Sequence, residues 1–427
     1  MIKNPETWRY LGLRWLYLDL NSYFASVEQQ LNPALRHRPV AVVPVLSDTT
    51  CAIAASYEAK AFGVKTGTPI YEAKKMCPGL VCVQAKHENY VEFHHRIITE
   101  IDKHIPIEIV ASIDEVACEL MGPQTEAKEA IALAERIKAG LRRHIGPFVR
   151  CSIGIASNRF LAKVATDLDK PDGLFVVENR KLPESLFVLK LGDLPGIGHN
   201  IEKRLNRVGI FTIEQLWTLL PGQMRHIWGN VAGERFWYIL RGIEVADPET
   251  KRSTIGHSHV LAPDWRNPTK SKIVAHRLLL KAATRMRRLQ FYAQDMDLGV
   301  RVENGPRLRA SCRFYRACDN ISLTNQFIAM WDGLMKHYKP NRIIKVSVTL
   351  HNLIPADKIQ PELFDADPNM PQQQIKRRED VSLAMDQLNA RFGRDTIVMG
   401  TLPQESHNFS GTKIAFTRIP DKKEFHE

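Results

Sequence analysis

Apolar positions in this chain fall into short continuous runs and into longer stretches with a 3.6-residue period, and the two alternate through the first 180 residues. Apolar runs at 16–20 and 39–45 predict strands. A small-residue run at 52–55 leads into a predicted helix at 57–62, closed by Gly63, and helical periodicity returns over 89–105. Two strand-like segments within 107–120 predict a hairpin, 127–145 has the spacing of an amphipathic helix, and 150–155 reads as another strand. The alternation predicts an α/β or α+β domain.

Further along, the pattern becomes helical. Leu194-Pro195-Gly196-Ile197-Gly198, followed by Ile201, Leu205 and Val208-Gly209-Ile210, has the form of a helix-hairpin-helix. Gly196 and Gly198 permit a tight turn whose backbone N–H groups could hold a DNA phosphate without reading a base. An ordinary helical turn would satisfy the same residues. A polar, Pro-containing stretch at 244–252 marks a boundary. Beyond it, Arg277, Lys281, Arg285 and Arg288 recur at helical spacing opposite Leu279, Ala283 and Met286, and runs at 296–302, 307–314 and 343–350 predict a sheet. After Pro355 the chain is enriched in Gln, Asp and Pro, which predicts a linker before a helix carrying Val381, Met385, Leu388 and Phe392 and a last strand at 413–416. There is no internal repeat.

At 427 residues the chain is too long for one core and is expected to divide into three or four domains. The charge pattern adds a partner. Residues 251–350 hold 19 Lys and Arg against 6 Asp and Glu, so one module carries the whole of the chain's net +12. Such a module binds a polyanion by charge and counterion release, or else serves only as a soluble surface. Seven cysteines form no CxxC pair and no zinc spacing, and are expected as reduced, buried thiols of a cytoplasmic protein. No segment is apolar enough to span a membrane, and residues 1–6 lack the apolar core of an export signal.

Three carboxylates stand where strands end. Asp19 closes the run at 15–18, and Asp114-Glu115 lies between the two arms of the predicted hairpin. Acids converging from neighbouring strands suit a pair of Mg²⁺ ions, which take hard oxygen ligands and leave room for phosphates. Taken singly, each acid is equally compatible with a solvated turn.

The surrounding text resembles the Y-family (DinB/UmuC-type) translesion DNA polymerases of bacteria. The matching segments run in the family's order: Leu18-Asp19-Leu20-Asn21-Ser22-Tyr23-Phe24-Ala25-Ser26-Val27-Glu28, Ser56-Tyr57-Glu58-Ala59-Lys60-Ala61-Phe62-Gly63-Val64, Ser112-Ile113-Asp114-Glu115, Ser157-Asn158-Arg159-Phe160-Leu161-Ala162-Lys163 and Leu194-Pro195-Gly196-Ile197-Gly198. The resemblance implies a multidomain α+β right hand: a palm from 1–32 and 88–178, small fingers from 33–87, a helical thumb with the helix-hairpin-helix from 179–247, and a basic α/β little finger from 248–355. A C-terminal linker and tail from 356–427 would follow. It implies template-directed, low-fidelity synthesis past damaged bases by a monomeric cytoplasmic, nucleoid-associated enzyme, with primer-template DNA and dNTPs as partners.

By the same resemblance Asp19, Asp114, Glu115 and the Leu20 carbonyl would hold two Mg²⁺ ions, and Tyr57, Lys60 and Lys163 would meet the triphosphate. Phe24 takes the steric-gate position that excludes a 2′-hydroxyl, with Tyr23 beside it, and Cys51 and Ile53 would lie over the nascent base pair. Two departures stand out: Asn21 replaces a second Asp found in many relatives, and Lys60 replaces an Arg, trading a bidentate fork for a point charge. Gln360-Pro361-Glu362-Leu363-Phe364 matches the bacterial sliding-clamp peptide, with Gln360, Leu363 and Phe364 as its anchors. A silent scaffold relative, a nucleotide cyclase and a DNA-binding repair factor are the competing classes. The first predicts a missing acid, the second no grip on a duplex, and the third no triphosphate set.

Overall fold

A computed structural model describes residues 7–247, 252–359, 372–393, 396–399 and 419. The chain divides between residues 247 and 248, inside the stretch where the composition changes, into two compact units.

In the first unit the elements run β1 (Trp15–Leu20), α1 (Tyr23–Leu31), β2 (Val40–Val43), β3 (Ala54–Ala55), α2 (Tyr57–Lys60), α3 (Ile70–Met76), β4 (Val81–Gln84) and α4 (His87–Asp102). They continue with β5 (Ile109–Val110), β6 (Glu115–Glu119), α5 (Ala127–His144), β7 (Cys151–Ala156), α6 (Arg159–Leu168) and β8 (Leu174–Val177), then α7 (His199–Arg207), α8 (Ile213–Trp217), α9 (Pro221–Trp228) and α10 (Val231–Leu240). Five strands form one sheet in the order β5-β6-β1-β7-β8, with β1 antiparallel to both neighbours and β7 parallel to β8. All six residues of β1 are buried, as expected of a central strand without polar alternation. A separate three-stranded sheet, β3-β2-β4, has small cores built from Ala41, Val43, Ala52 and Ile70 and from Ala55, Ala59, Val64, Ala73 and Cys77.

Helices α7–α10 do not form a separate core. Leu194, Ile197, Leu205, Leu216, Met224 and Phe236 pack in one cluster with Trp8, Trp15, Leu161 and Val164. The junction is also polar: Asn158 Nδ2 donates to the Ile239 and Ile243 carbonyls at 2.8 and 3.1 Å, and Asn179 Nδ2 donates to the Trp8 and Arg241 carbonyls at 2.6 and 3.0 Å. Arg241 lies between the Trp217 and Trp237 rings, 4.3 and 3.7 Å from their centroids, and donates to the Trp217 carbonyl at 2.7 Å.

The second unit holds β9 (Thr254–Val260), α11 (Pro268–Arg288), β10 (Phe291–Val302), β11 (Arg307–Ala317), α12 (Asn320–Tyr338), β12 (Ile343–His351), β13 (Ile354–Pro355) and α13 (Gln372–Phe392). Its sheet runs β11-β10-β12-β9, and alternate residues such as Met296, Leu298, Val300, Val346 and Val348 bury against α11 and α12. Helix α13 forms as the sequence predicts, but with an unexpected packing face. Val381 and Phe392 are 51% and 61% exposed. The polar side docks instead: Ser382 accepts from the Asn320 N–H at 3.0 Å, and Asp386 takes a two-pronged ion pair from Arg287 Nε and Nη2 at 2.7 and 2.9 Å. Arg287 is buried and also donates to the Cys318 carbonyl at 2.6 Å, so a charge removed from water is fully paired.

The cysteines are free thiols, but Cys51 is exposed and Cys82 and Cys312 half-buried, which corrects the expectation that all are buried. Among the described residues no helix is long and apolar enough to cross a membrane. The strand expected at 413–416 and the peptide at 360–364 lie outside the described residues. Asp386→Ala leaves the Arg287 guanidinium buried without its carboxylate and is expected to destabilise the second unit by about 3 kcal/mol in denaturant unfolding. An unchanged midpoint would mean that the docked α13 adds nothing.

Candidate active site

The register of the central sheet brings the acids together. Asp19 on β1 stands directly opposite Glu115 on β6 and Ser152 on β7, and the Leu20 N–H donates to the Asp114 carbonyl at 2.8 Å. Directly opposed residues on an antiparallel pair have Cβ atoms roughly 5 Å apart, so two carboxylates there repel unless a cation intervenes. Lys163, on α6, supplies it: its ammonium bonds Asp19 and lies 2.7 Å from Glu115 Oε1. Burial works against that charge, but Asp19 and Glu115 outweigh it and hold the ammonium above its ordinary range. Tyr17 closes the other side, its hydroxyl donating to Glu115 Oε2 at 2.8 Å.

Asp114 bonds no ammonium directly among the described residues. Burial pushes its carboxyl up, the Ser112 hydroxyl bonded to it opposes that, the charges of Asp19 and Glu115 push it up further, and Lys163 reaches it only through its charge, which pulls the carboxyl down. Among the described residues no group of three or more acidic, histidine or cysteine side chains is already gathered as a cation cage. The donor chemistry nevertheless fits a hard divalent ion: Asp19, Asp114 and Glu115 lie close enough to act on one another's charge, and Asp19 and Glu115 already hold the ammonium groups of Lys163 and Lys170.

A second lysine was missed in the sequence. Lys170 Nζ lies 3.0 Å from Asp19 Oδ2 and 2.7 Å from Asp167 Oδ1, in the loop after α6 where no periodicity marks it. Its charge also reaches α2. Tyr57 opens that short helix, capped by Ser56, and Lys60 closes it with its ammonium 4.5 Å over the Tyr57 ring. Lys60 is pushed down by burial and then by the positive charge of Lys170, while Tyr57 is pushed up by burial against the pull of Lys170. Lysines close enough to oppose each other's charge suit a polyanion.

Asn21 is held at both ends of its amide. Its Oδ1 accepts from the Asp172 N–H at 2.7 Å while its Nδ2 donates to Ser152 Oγ at 3.2 Å. The bond ties the end of β1 to the loop that carries Lys170. Tyr23 and Phe24 open α1 after Ser22, which turns the chain with φ 49°. Phe24 is 6% exposed and stacks on Tyr90, ring centroids 4.4 Å apart at 14°. Tyr23 is buried too, its hydroxyl donating to the Tyr90 carbonyl at 2.6 Å. In the three-stranded sheet region Cys51 is exposed and Ile53 half-buried.

Leu194 and Ile197 bury in the hairpin before α7 while Gly196 and Gly198 face out, and Gly196 has φ 93°, a backbone that a side chain would strain. In the second unit the sheet's outer face sets Arg301 opposite both Arg307 and Lys345 across three strands. Like charges directly opposed are destabilising, so this face, which the sequence pattern did not single out, concentrates positive charge at a cost to stability.

Residues 18–167 match the impB/mucB/samB family, 252–363 match that family's C-terminal domain, and 192–244 match the thumb domain of DNA polymerase-iota. The chain is 30% identical to DNA polymerase IV of Moorella thermoacetica, covering 90% of this chain and 94% of that one. It is 27% identical to DNA polymerase IV 1 of Bacillus subtilis over 95% and 97% of the two. A solved Y-family DNA polymerase chimera, Dbh-Dpo4(243-245)-Dbh, shares the fold at TM-score 0.66 and 23% identity, covering 80% of this chain and 99% of that one. The insertion ternary complex of Dbh DNA polymerase has 25% identity and TM-score 0.50 over the same shares. The chain belongs to the Y family of DNA polymerases, and it is of the DinB type.

Proposed function

We propose that this polymerase carries out low-fidelity, template-directed synthesis past damaged bases, transferring a nucleotide from a dNTP to a primer 3′-hydroxyl with two Mg²⁺ ions. The carrying observation is the Asp19–Glu115 pair, with Asp114 beside it, facing Lys163, Lys170, Lys60 and Tyr57 across one site. In the reaction the 3′-oxygen bonds the α-phosphorus, the bond to the β-phosphate oxygen breaks, and pyrophosphate leaves. Asp19, Asp114, Glu115 and the Leu20 carbonyl would hold the ions, which when bound favour the ionised primer hydroxyl and offset charge on the departing pyrophosphate.

The protein's own part is positioning and charge. Lys60, Lys163 and Lys170 neutralise the triphosphate, and the Tyr57 hydroxyl donates to it. The ammonium groups that balance Asp19 and Glu115 in the free protein are those a triphosphate draws. Phe24 sits against the sugar and leaves no space for a 2′-hydroxyl. A fingers region built on a three-stranded sheet, with Cys51 and Ile53 near its surface, leaves the nascent pair open to altered bases. Gly196 and Gly198 take a DNA phosphate, and the Arg301–Arg307–Lys345 face and the basic α11 grip the duplex without reading sequence. The enzyme acts as a monomer at the bacterial nucleoid, tethered to the sliding clamp through Gln360, Leu363 and Phe364.

Purified protein is expected to extend a primed strand with Mg²⁺ and dNTPs, on undamaged template and across an abasic site. Chelation of the metal or Asp114→Ala should each abolish extension; persistence in the folded variant would overturn the metal role. Lys170→Ala should raise the KM for dNTP about tenfold, the loss of one charge-assisted contact. An unchanged KM would remove Lys170 from the triphosphate site. Replacing Leu363 and Phe364 together by Ala should eliminate stimulation by a bacterial sliding clamp, and equal stimulation would contradict the tether.

A further inference from the structure

Glu28 is a carboxyl that the chemistry above does not use, yet it is 3% exposed in the middle of helix α1. Burying a carboxyl is costly unless a partner compensates, and burial pushes this one up from its ordinary range. The partner is Tyr90, whose hydroxyl donates to Glu28 Oε1 at 2.8 Å. Tyr90 is fully buried near the start of α4 and is gripped from three sides. The Lys86 N–H donates to its hydroxyl oxygen at 3.2 Å, its carbonyl accepts from Tyr23, and its ring stacks on Phe24. Phe24 and Glu28 are four residues apart, on one face of α1, so a single helical turn presents both the gate ring and the anchor of the ring behind it.

We propose that Glu28 is a positioning residue for sugar discrimination: its carboxyl fixes the Tyr90 hydroxyl, and the Tyr90 ring backs Phe24 so that the gate cannot retreat from a ribonucleotide. The inference rests on the reading of Phe24 as the gate. A phenyl ring in van der Waals contact excludes a hydroxyl only if it is itself prevented from moving, because a gap of an ångström admits one more oxygen. Phe24 stacks on a ring that is locked at its far end, and the lock is the hydrogen bond to Glu28. Neither group touches the acids or the lysines of the site, so their effect should fall on which sugar is accepted.

The test is single-nucleotide insertion by the full-length protein on primed DNA, read as the ratio of kcat/KM for a dNTP to that for the matching rNTP. Tyr90→Phe keeps the ring and removes the hydroxyl, and Glu28→Ala removes the anchor. Each should lower the ratio about three- to tenfold, the effect of one buried hydrogen bond on the gate's placement. Glu28→Gln, which keeps an acceptor oxygen, should hold the ratio near that of the parent. A merely structural role would lower both kcat/KM values together and leave the ratio unchanged, and that result in Tyr90→Phe overturns the proposal even if Glu28→Ala fails to fold. Phe24→Ala in the same assay separates the two levels. A collapsed ratio there with an unchanged one in Tyr90→Phe sinks only the Glu28–Tyr90 role, whereas an unchanged ratio in Phe24→Ala sinks the gate itself.

Discussion

Everything in the catalytic unit depends on β1 being the middle strand. Because β6 and β7 pair with it from both sides, all six of its residues are buried and its register cannot slip without turning every side chain to the wrong face. That register fixes Asp19 opposite Glu115 and leaves Asp114 at the entrance to β6. Like charges so placed are unfavourable, and the fold supplies Lys163 and Lys170 to balance them. Both lysines belong to α6 and the loop after it, which is held from two directions. Asn158 caps the helix by accepting from the Leu161 N–H at 2.8 Å while donating to the Ile239 carbonyl within α10 and the Ile243 carbonyl just after it, and Asn21 bonds the loop at Asp172. The charge balance of the site is therefore set by the same contacts that join the helical region to the sheet.

This arrangement places cost and function in the same residues. Negative charge around Asp114 and mutually opposed lysines around Tyr57 are each unfavourable in the free protein, and under the proposed function a divalent cation with a polyphosphate would relieve both. The second unit repeats the logic on a larger scale, with Arg301, Arg307 and Lys345 facing one another across its open sheet. Strain of this kind is tolerable because each unit has an ample apolar core beneath it.

How much of this the sequence reveals depends on whether burial or geometry selects a residue. Strands β1, β6 and β7 are visible because buried strands read as apolar runs, β5 because it continues the apolar stretch before the acids although Val110 is exposed, and α5 because its apolar positions keep helical spacing. Strand β9, Thr-Ile-Gly-His-Ser-His-Val, was not legible: at the edge of its sheet it carries too few apolar residues to stand out. The acids that the register brings together, and α2, stand out in the sequence because they sit in contiguous motifs. Lys170 was not, since its place follows from where a loop returns after α6. Helix α13 shows the opposite failure, for its apolar stripe predicts the element correctly but not the face it packs, which a buried Arg287–Asp386 pair decides.

The most direct test of the central charge arrangement is to measure Mn²⁺ uptake, as a stand-in for Mg²⁺, by the protein on primed DNA with and without a non-hydrolysable dNTP. Tight uptake of two ions that requires the nucleotide, and is lost in Asp114→Ala, is the expected result. Equal uptake by that variant, or uptake indifferent to the nucleotide, would contradict the assignment of Asp19, Asp114 and Glu115 as the acids that hold the metal.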